Sequence, residues 1–229
     1  MKSPKPVVSV LLVEDHVVVR QSMRRLLEAE GRCVVIGEAR TGREAVELTA
    51  KLRPDVVLLD IALPVLNGLG ATRQILAANP AVKVLILSAY SDNIYVERMT
   101  EAGAVGFLEK QTSAAILIDA IHQVANGKPF YSPAIARRLA QAHGRWHNLH
   151  GRPKPRGTGI TPREAEVLQL VAEGHANKQI ATTLGISVKT VAKHRQQLMD
   201  KLHIHDTAGL TRYAMDHGII ESRVVVTIV

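Results

Sequence analysis

The chain has 229 residues, 46% hydrophobic, 22% charged and only 3% aromatic, a globular composition whose core must be built from Val, Leu, Ile and Ala. Its single cysteine, Cys33, excludes an intramolecular disulfide. The formal net charge of +8 is uneven: residues 1–130 carry 15 Lys/Arg and 14 Asp/Glu, and residues 131–229 carry 14 and 7, which excludes a uniform charge distribution and points to a near-neutral first domain and a basic second one suited to a polyanion.

No apolar run reaches the roughly 18 residues of a membrane span. Residues 1–6 lack the apolar stretch and cleavage site of a secretory signal. A cytoplasmic protein with no membrane partner is therefore expected. Residues 7–125 alternate short apolar runs with amphipathic stretches. Strands are expected over 8–13, 33–36, 56–60, 82–88 and 105–108. Helices are expected over 16–30, 41–52, 68–78, 93–102 and 113–125, the last capped by Thr112 or Ser113. Five strands alternating with five helices imply an α/β, doubly wound parallel sheet. The runs Val-Leu-Leu-Val and Val-Val-Leu-Leu lack period-2 alternation, as strands buried on both faces do. Cys33 reads as a small core residue in the second strand.

Residues 127–158 are rich in Gly and Pro and read as a linker, with a short helix expected over 133–142 behind Ser132 and Pro133. Within it His143, His147 and His150 have helical spacing, but Gly144 and Gly151 argue against a stable helix and no Cys, Asp or Glu joins them, so no metal site is assigned there. From 160 onward the pattern is helical. Thr161-Pro162-Arg163-Glu164 is a capping box with proline at the first helical position, Gly174 ends that helix, and further helices are expected over 177–184, 187–202 and 207–217. The expected division is 1–126, a linker over 127–158, and a second, all-α four-helix domain over 159–229. The apolar, β-branched tail 224–229 has no assigned role.

In open α/β sheets function collects at the carboxyl ends of strands. Here the first strand ends in Glu14-Asp15, the third in Asp60, the fourth in Ser88, and Lys110 lies just past the fifth. Each has an ordinary structural reading alone; together they place three carboxylates, a hydroxyl and an ammonium on one rim. Clustered carboxylates suit Mg²⁺, a hard cation that takes oxygen ligands. Such a site can transfer a phosphoryl group to a carboxylate, with Asp60 as nucleophile.

The order of Glu14-Asp15, Asp60, Ser88 and Lys110 resembles response-regulator receivers. So do Asp55-Val-Val-Leu-Leu-Asp60-Ile-Ala-Leu-Pro64-Val-Leu-Asn67-Gly68 and Ala102-Gly103-Ala104-Val105-Gly106-Phe107-Leu108-Glu109-Lys110. The resemblance covers about 7–126 and implies a flavodoxin-like fold in which Asp60 accepts phosphate from a sensor histidine kinase. It implies that Glu14, Asp15, Asp60 and the carbonyl of Ala62 hold Mg²⁺, that Ser88 and Lys110 bind the phosphoryl group, and that Phe107 is the aromatic switch. Three positions depart from the usual pattern: Glu14 stands where many relatives have Asp, Phe107 stands where Tyr is usual and so lacks a hydroxyl, and Leu63 replaces a frequent Met.

In the second domain, Val191, Leu198 and Leu202 form one stripe of the third helix, and Lys189, Ala192, Lys193 and Gln196 another. On pattern alone an ordinary solvated face is the better reading. However, Ile160-Thr-Pro-Arg-Glu-Ala-Glu-Val-Leu168, Gly174, Asn177-Lys178-Gln-Ile-Ala181, Leu184-Gly-Ile-Ser187, Thr190-Val191, His194 and Lys201-Leu202 resemble the LuxR-type helix-turn-helix domain over about 159–220. Together the halves are similar to the NarL/FixJ family. The resemblance implies phosphate contacts from Lys178, Lys189, Thr190 and Lys201, and base contacts from Ala192, Lys193 and Gln196. The segment 205–209 lacks the family's usual basic or asparagine residues.

The implied function is phosphorylation-gated transcription control, without turnover beyond the chain's own phosphorylation and dephosphorylation. The implied partners are a sensor histidine kinase, double-stranded DNA and a second copy when phosphorylated, with RNA polymerase a further candidate. Two alternatives stay open on sequence: a Mg²⁺-dependent phosphatase, for which no cap insertion is seen between the strands, and a DNA binder whose receiver is never phosphorylated.

Overall fold

The computed structural model describes residues 7–29, 31–88, 93–133, 135–137 and 159–220. The chain divides into two compact units, Met1–Arg156 and Gly157–Val229. Among the described residues no helix is long and apolar enough to cross a membrane.

In the first unit, strands β1 (Val8–Val13), β2 (Cys33–Ala39), β3 (Val56–Leu59), β4 (Lys83–Ser88), β5 (Gly106–Glu109) and β6 (Phe130–Tyr131) alternate with helices α1 (Val17–Ala29), α2 (Gly42–Leu52), α3 (Gly68–Ala78), α4 (Asn93–Glu101) and α5 (Ala114–Ala125). The strands pair in parallel in the order β2-β1-β3-β4-β5-β6. β3 is buried at every position, as its unbroken apolar run requires. One core cluster lies on the side of α2, α3 and α4 and contains Ala45, Ile75 and Met99. The other lies on the side of α1 and α5 and contains Leu27, Cys33 and Ile121. Sheet and helices together bury the apolar surface that drives folding, at about 25 cal/mol per Å².

The sheet has six strands, not five. β6 comprises two residues and is too short to leave a periodic signal. It lies in the stretch read as linker, where Phe130 N donates to Val105 O (3.1 Å) and Ser132 N to Phe107 O (3.3 Å). Beyond it Pro133 and residues 135–137 are helical, and Ile135 is fully buried in the α2–α4 core. The rest of the expected 133–142 helix and the three linker histidines lie outside the described residues. Ser113 occupies the N-cap of α5 but makes no side-chain capping bond.

The second unit contains α6 (Pro162–Ala172), α7 (Asn177–Leu184), α8 (Val188–Leu202) and α9 (Thr207–Asp216). The capping box forms as its residue types dictate: Thr161 Oγ1 accepts from Glu164 N, and Thr161 N donates to Glu164 Oε2 (2.7 Å). Gly185 ends α7 at φ 63°, a left-handed conformation that glycine adopts without steric cost. Ser187 then accepts from Thr190 N to start α8. Val167, Leu168, Ile180, Val191, Leu198 and Leu210 are essentially inaccessible and form the core of the small bundle.

Candidate functional site

Backbone pairing carries past the strand ends and fixes one rim of the sheet. Glu14 N donates to Ala39 O (3.1 Å), Asp60 N to Val13 O (3.1 Å) and Lys110 N to Ser88 O (2.7 Å). Glu14, Asp60 and Lys110 thus directly follow β1, β3 and β5 at their carboxyl ends, and Ser88 is the last residue of β4. Three of them are withdrawn from water, with Glu14 1% exposed, Ser88 2% and Asp60 5%, and Lys110 is half-buried.

Lys110 joins the two buried acids. Its Nζ donates to Glu14 Oε2 (2.6 Å) and Asp60 Oδ2 (2.8 Å), while Asp60 Oδ1 accepts from Ile61 N (2.8 Å). Burial pushes the Asp60 carboxyl above its ordinary range, and the Lys110 hydrogen bond and charge only partly offset this. Burial also works against the Lys110 ammonium, but its hydrogen bonds to Asp60 and Glu14 outweigh that effect and raise it. Two buried carboxylates share this one ammonium, and Asp15 follows Glu14 directly in the chain, an oxygen-rich set that suits a divalent cation.

Glu14, Asp15 and His16 bring potential ligand atoms within 4.8 Å of one another. Asp15 Oδ1 is buried and no donor meets it with hydrogen-bond geometry, although His16 Nδ1 lies 2.8 Å away. A carboxylate oxygen beside Glu14 that no hydrogen-bond donor satisfies fits a cation that takes oxygen ligands. The His16 imidazole, bonded to Glu14 and close to Asp15, is held above its ordinary pKa. Ala62, in the loop after Asp60, is half-buried, and Phe107 on β5 is 1% exposed.

Asp60 depends on glycine at position 68. Gly68 N donates to Ile61 O (2.9 Å), and a Cβ there would lie 2.5 Å from Asp60 O and 2.8 Å from Ile61 Cα. Both obstacles are backbone, so Gly68→Ala is expected to cost about 1–3 kcal/mol and to slow modification of Asp60. Urea denaturation and a phosphodonor time course on the same preparation check this.

In the second unit α8 presents the predicted faces. Val191 and Leu198 are buried, whereas Lys189, Ala192, Lys193 and Gln196 are exposed, as is Lys178 on α7. Thr190 Oγ1 lies 2.8 Å from Ser187 Oγ, and Gln196 Nε2 donates to Asp200 Oδ1 (2.8 Å). Lys201 stands apart from this group. Its Nζ donates to Glu164 Oε2 (2.7 Å) and Gly159 O (3.0 Å) and ties α8 to the start of α6.

Glu164 is 2% exposed. Burial pushes its carboxyl up, but the bonds from Lys201 and Thr161 prevail and hold it below the ordinary 4.5. The folded unit therefore binds fewer protons here than the unfolded chain. The stabilisation is fully present above pH 4.5 and is lost as pH falls through the lower folded value. Glu164→Gln is expected to remove about 1 kcal/mol at neutral pH and to flatten the acid limb. Hydrogen exchange of the α6 amides across pH, corrected for intrinsic rates, measures both effects.

Sequence reasoning missed Arg195, Arg20 and Glu38. Arg195 of α8 donates to Asn177 Oδ1 (2.8 Å) and Thr207 Oγ1 (2.9 Å), bracing that helix against the starts of α7 and α9. Arg20 and Glu38 pair beside the acidic rim. A basic side chain four residues after His16 was the only available signal.

A parallel sheet with acids and a lysine at its carboxyl rim, followed by a basic helical bundle, defines a two-domain chain with a receiver-like first unit. Comparison with known proteins gives the same division. Residues 10–122 match the response regulator receiver domain, and residues 158–214 match the bacterial regulatory proteins of the luxR family. The transcriptional regulatory protein DegU of Brevibacillus brevis is 33% identical over 228 residues, covering 94% of this chain and 96% of the relative. MctR of Rhizobium johnstonii is 34% identical over 216 residues, covering 94% and 97%. A crystal structure of a LuxR-family two-component response regulator from Aurantimonas sp. aligns with a TM-score of 0.58 at 33% identity, covering 61% of this chain and 99% of that one. The chain belongs to the response regulators that join a receiver domain to a LuxR-type DNA-binding domain. It is a transcription regulator of that family.

Proposed function

We propose that Asp60 is the phosphoryl acceptor of this response regulator and that its phosphorylation controls DNA binding by α8. The observation that carries the reading is Lys110, which reaches Glu14 on one strand end and Asp60 on another at 2.6 and 2.8 Å. An Asp60 carboxylate oxygen attacks the phosphorus of a kinase phosphohistidine. The P–N bond breaks, and the imidazole leaves with its electron pair and takes up a proton. Lys110 and Ser88 receive the phosphoryl oxygens, and Phe107 serves as the aromatic switch without a hydroxyl. Glu14, Asp15, Asp60 and the Ala62 carbonyl would hold Mg²⁺, which supplies neutralisation of the charge on the equatorial oxygens. Turnover is limited to loading and losing this one group.

The receiver spans 1–126 and the DNA-binding domain 159–229, with 127–158 connecting them. Lys178, Lys189 and Thr190 meet phosphates, and Ala192, Lys193 and Gln196 face base edges. Phosphate contacts give affinity and salt dependence, and base contacts give specificity. Lys201, engaged by Glu164 and Gly159, sets the seat of α8 and contributes less to phosphate contact than the sequence implied. Phosphorylation favours a homodimer, which a domain of this size needs to read paired half-sites. RNA polymerase is a downstream partner, and the protein acts in the cytoplasm.

The test is selection of bound fragments from a random DNA pool, with and without prior treatment with a small phosphodonor. Treated protein enriches a paired motif with higher affinity. Equal enrichment by treated and untreated protein contradicts the proposal.

A further inference from the structure

We propose that Arg20 is a positioning residue for the cation-binding acids: its guanidinium clamps the backbone of Glu14 and Asp15 and fastens it, through Glu38, to the edge strand β2. The inference rests on the reading of Glu14 and Asp15 as the cation-binding pair.

Arg20 closes the first turn of α1 and is 4% exposed, a rare position for an arginine unless it is fully engaged. Its Nη1 donates to Glu14 O (2.7 Å) and approaches Asp15 O (3.4 Å), and its Nε donates to Glu38 Oε2 (3.0 Å). The other Glu38 oxygen accepts from Arg24 Nη1 (2.8 Å). These two arginines hold the Glu38 carboxyl below its ordinary range, the Arg24 hydrogen bond contributing most, so the anchor stays charged at neutral pH.

Glu38 faces α1 because of a local irregularity. The β1–β2 register shifts between Val10 and Leu11, from Val10↔Val35 to Leu11↔Gly37. One extra residue in β2 reverses the side-chain alternation beyond it. Cys33 and Val35 face the α1–α5 core, and Ala39 faces the α2–α4 core. Glu38 is thereby placed on the α1 side, where Arg20 and Arg24 reach it.

The acidic loop is short and its carboxylates are useful only if their backbone is fixed. A working site holds its groups within about 0.5 Å of the productive geometry. Glu14 N to Ala39 O secures one side of the loop, and the Arg20 fork secures the carbonyl side. A guanidinium suits this task because Nε and Nη1 are separate donors in a rigid plane, whereas lysine offers its protons from one atom on a flexible stem.

Arg20→Lys separates the fork from the charge. Mg²⁺ titration calorimetry on the full chain is expected to show a dissociation constant about tenfold weaker in Arg20→Lys, with a slower phosphodonor reaction at fixed Mg²⁺ and a cooperative thermal transition. Arg43→Ala, which removes a surface cation paired with Glu47, is expected to bind Mg²⁺ within twofold of the parent chain. If Arg20→Lys does not fold, Glu38→Gln takes its place under the same criterion. A Mg²⁺ affinity in the deciding variant equal to that of the parent chain overturns the clamp. Failure of the parent chain itself to bind Mg²⁺ or to accept a phosphoryl group overturns the site assignment instead, so the two failures are distinguishable.

Discussion

Asp60→Asn is expected to reduce phosphoryl uptake from a small phosphodonor by at least about 10³-fold, into the background of non-specific modification, because the amide is not a usable nucleophile. The fold should survive. Asn keeps the volume of Asp60 and its Oδ1 can still accept from Ile61 N, which meets the aspartate at 2.8 Å. With Oδ1 so placed, the amide nitrogen faces Lys110 Nζ and that hydrogen bond is lost, while Lys110 keeps its bond to Glu14, so the expected stability loss is about 1 kcal/mol. The consequence for regulation is larger. If Asp60 is the gate, DNA affinity in the variant no longer responds to phosphodonor treatment, whereas the parent chain responds. Intact-mass measurement and fluorescence anisotropy on the same samples read both effects. A variant that still loads phosphate, or whose DNA affinity still responds, contradicts the assignment.

Lys110→Met is expected to slow phosphoryl transfer by roughly 10²–10³-fold at saturating Mg²⁺. Methionine retains the stem and its packing but removes the ammonium bound to Glu14 and Asp60. Those two acids, 1% and 5% exposed, then lack their common counter-charge, and burial already pushes Asp60 upward. Its carboxyl rises further in the variant, and the transferring oxygens lose a donor. The single-turnover rate across Mg²⁺ concentration separates the two causes. A deficit that vanishes at high Mg²⁺ assigns Lys110 to charge balance alone, and a deficit that persists assigns it to the phosphoryl group. A rate equal to that of the parent chain removes Lys110 from the site.

The parts of this fold legible in the sequence were those written in runs of residues. Val-Leu-Leu-Val and Val-Val-Leu-Leu named central parallel strands because burial on both faces leaves no alternation. Thr161 and Glu164 named a helix start because a capping box is a local contact over three residues. The acids and Lys110 were legible because strand ends in a parallel sheet share one rim, so position along the chain converts directly to proximity. What escaped depended on register or on distant partners. β6 is two residues long and is held by β5. Glu38 reaches Arg20 only because β2 carries one extra residue opposite β1; strict period-2 reading turns it to the opposite face. Lys201 carried the residue type of a phosphate contact, but folding brings it to Glu164, 37 positions away. Arg195 likewise joins residues 18 and 12 positions distant, which no local pattern announces.

The most direct measurement is to locate the phosphoryl group. Protein treated with a small phosphodonor in Mg²⁺, digested at acidic pH and analysed by tandem mass spectrometry, is expected to carry one phosphoryl group on the peptide containing Asp60. The modification should be absent when Mg²⁺ is chelated. Modification at another residue, or none in a preparation that still binds DNA in a phosphodonor-dependent manner, contradicts the account.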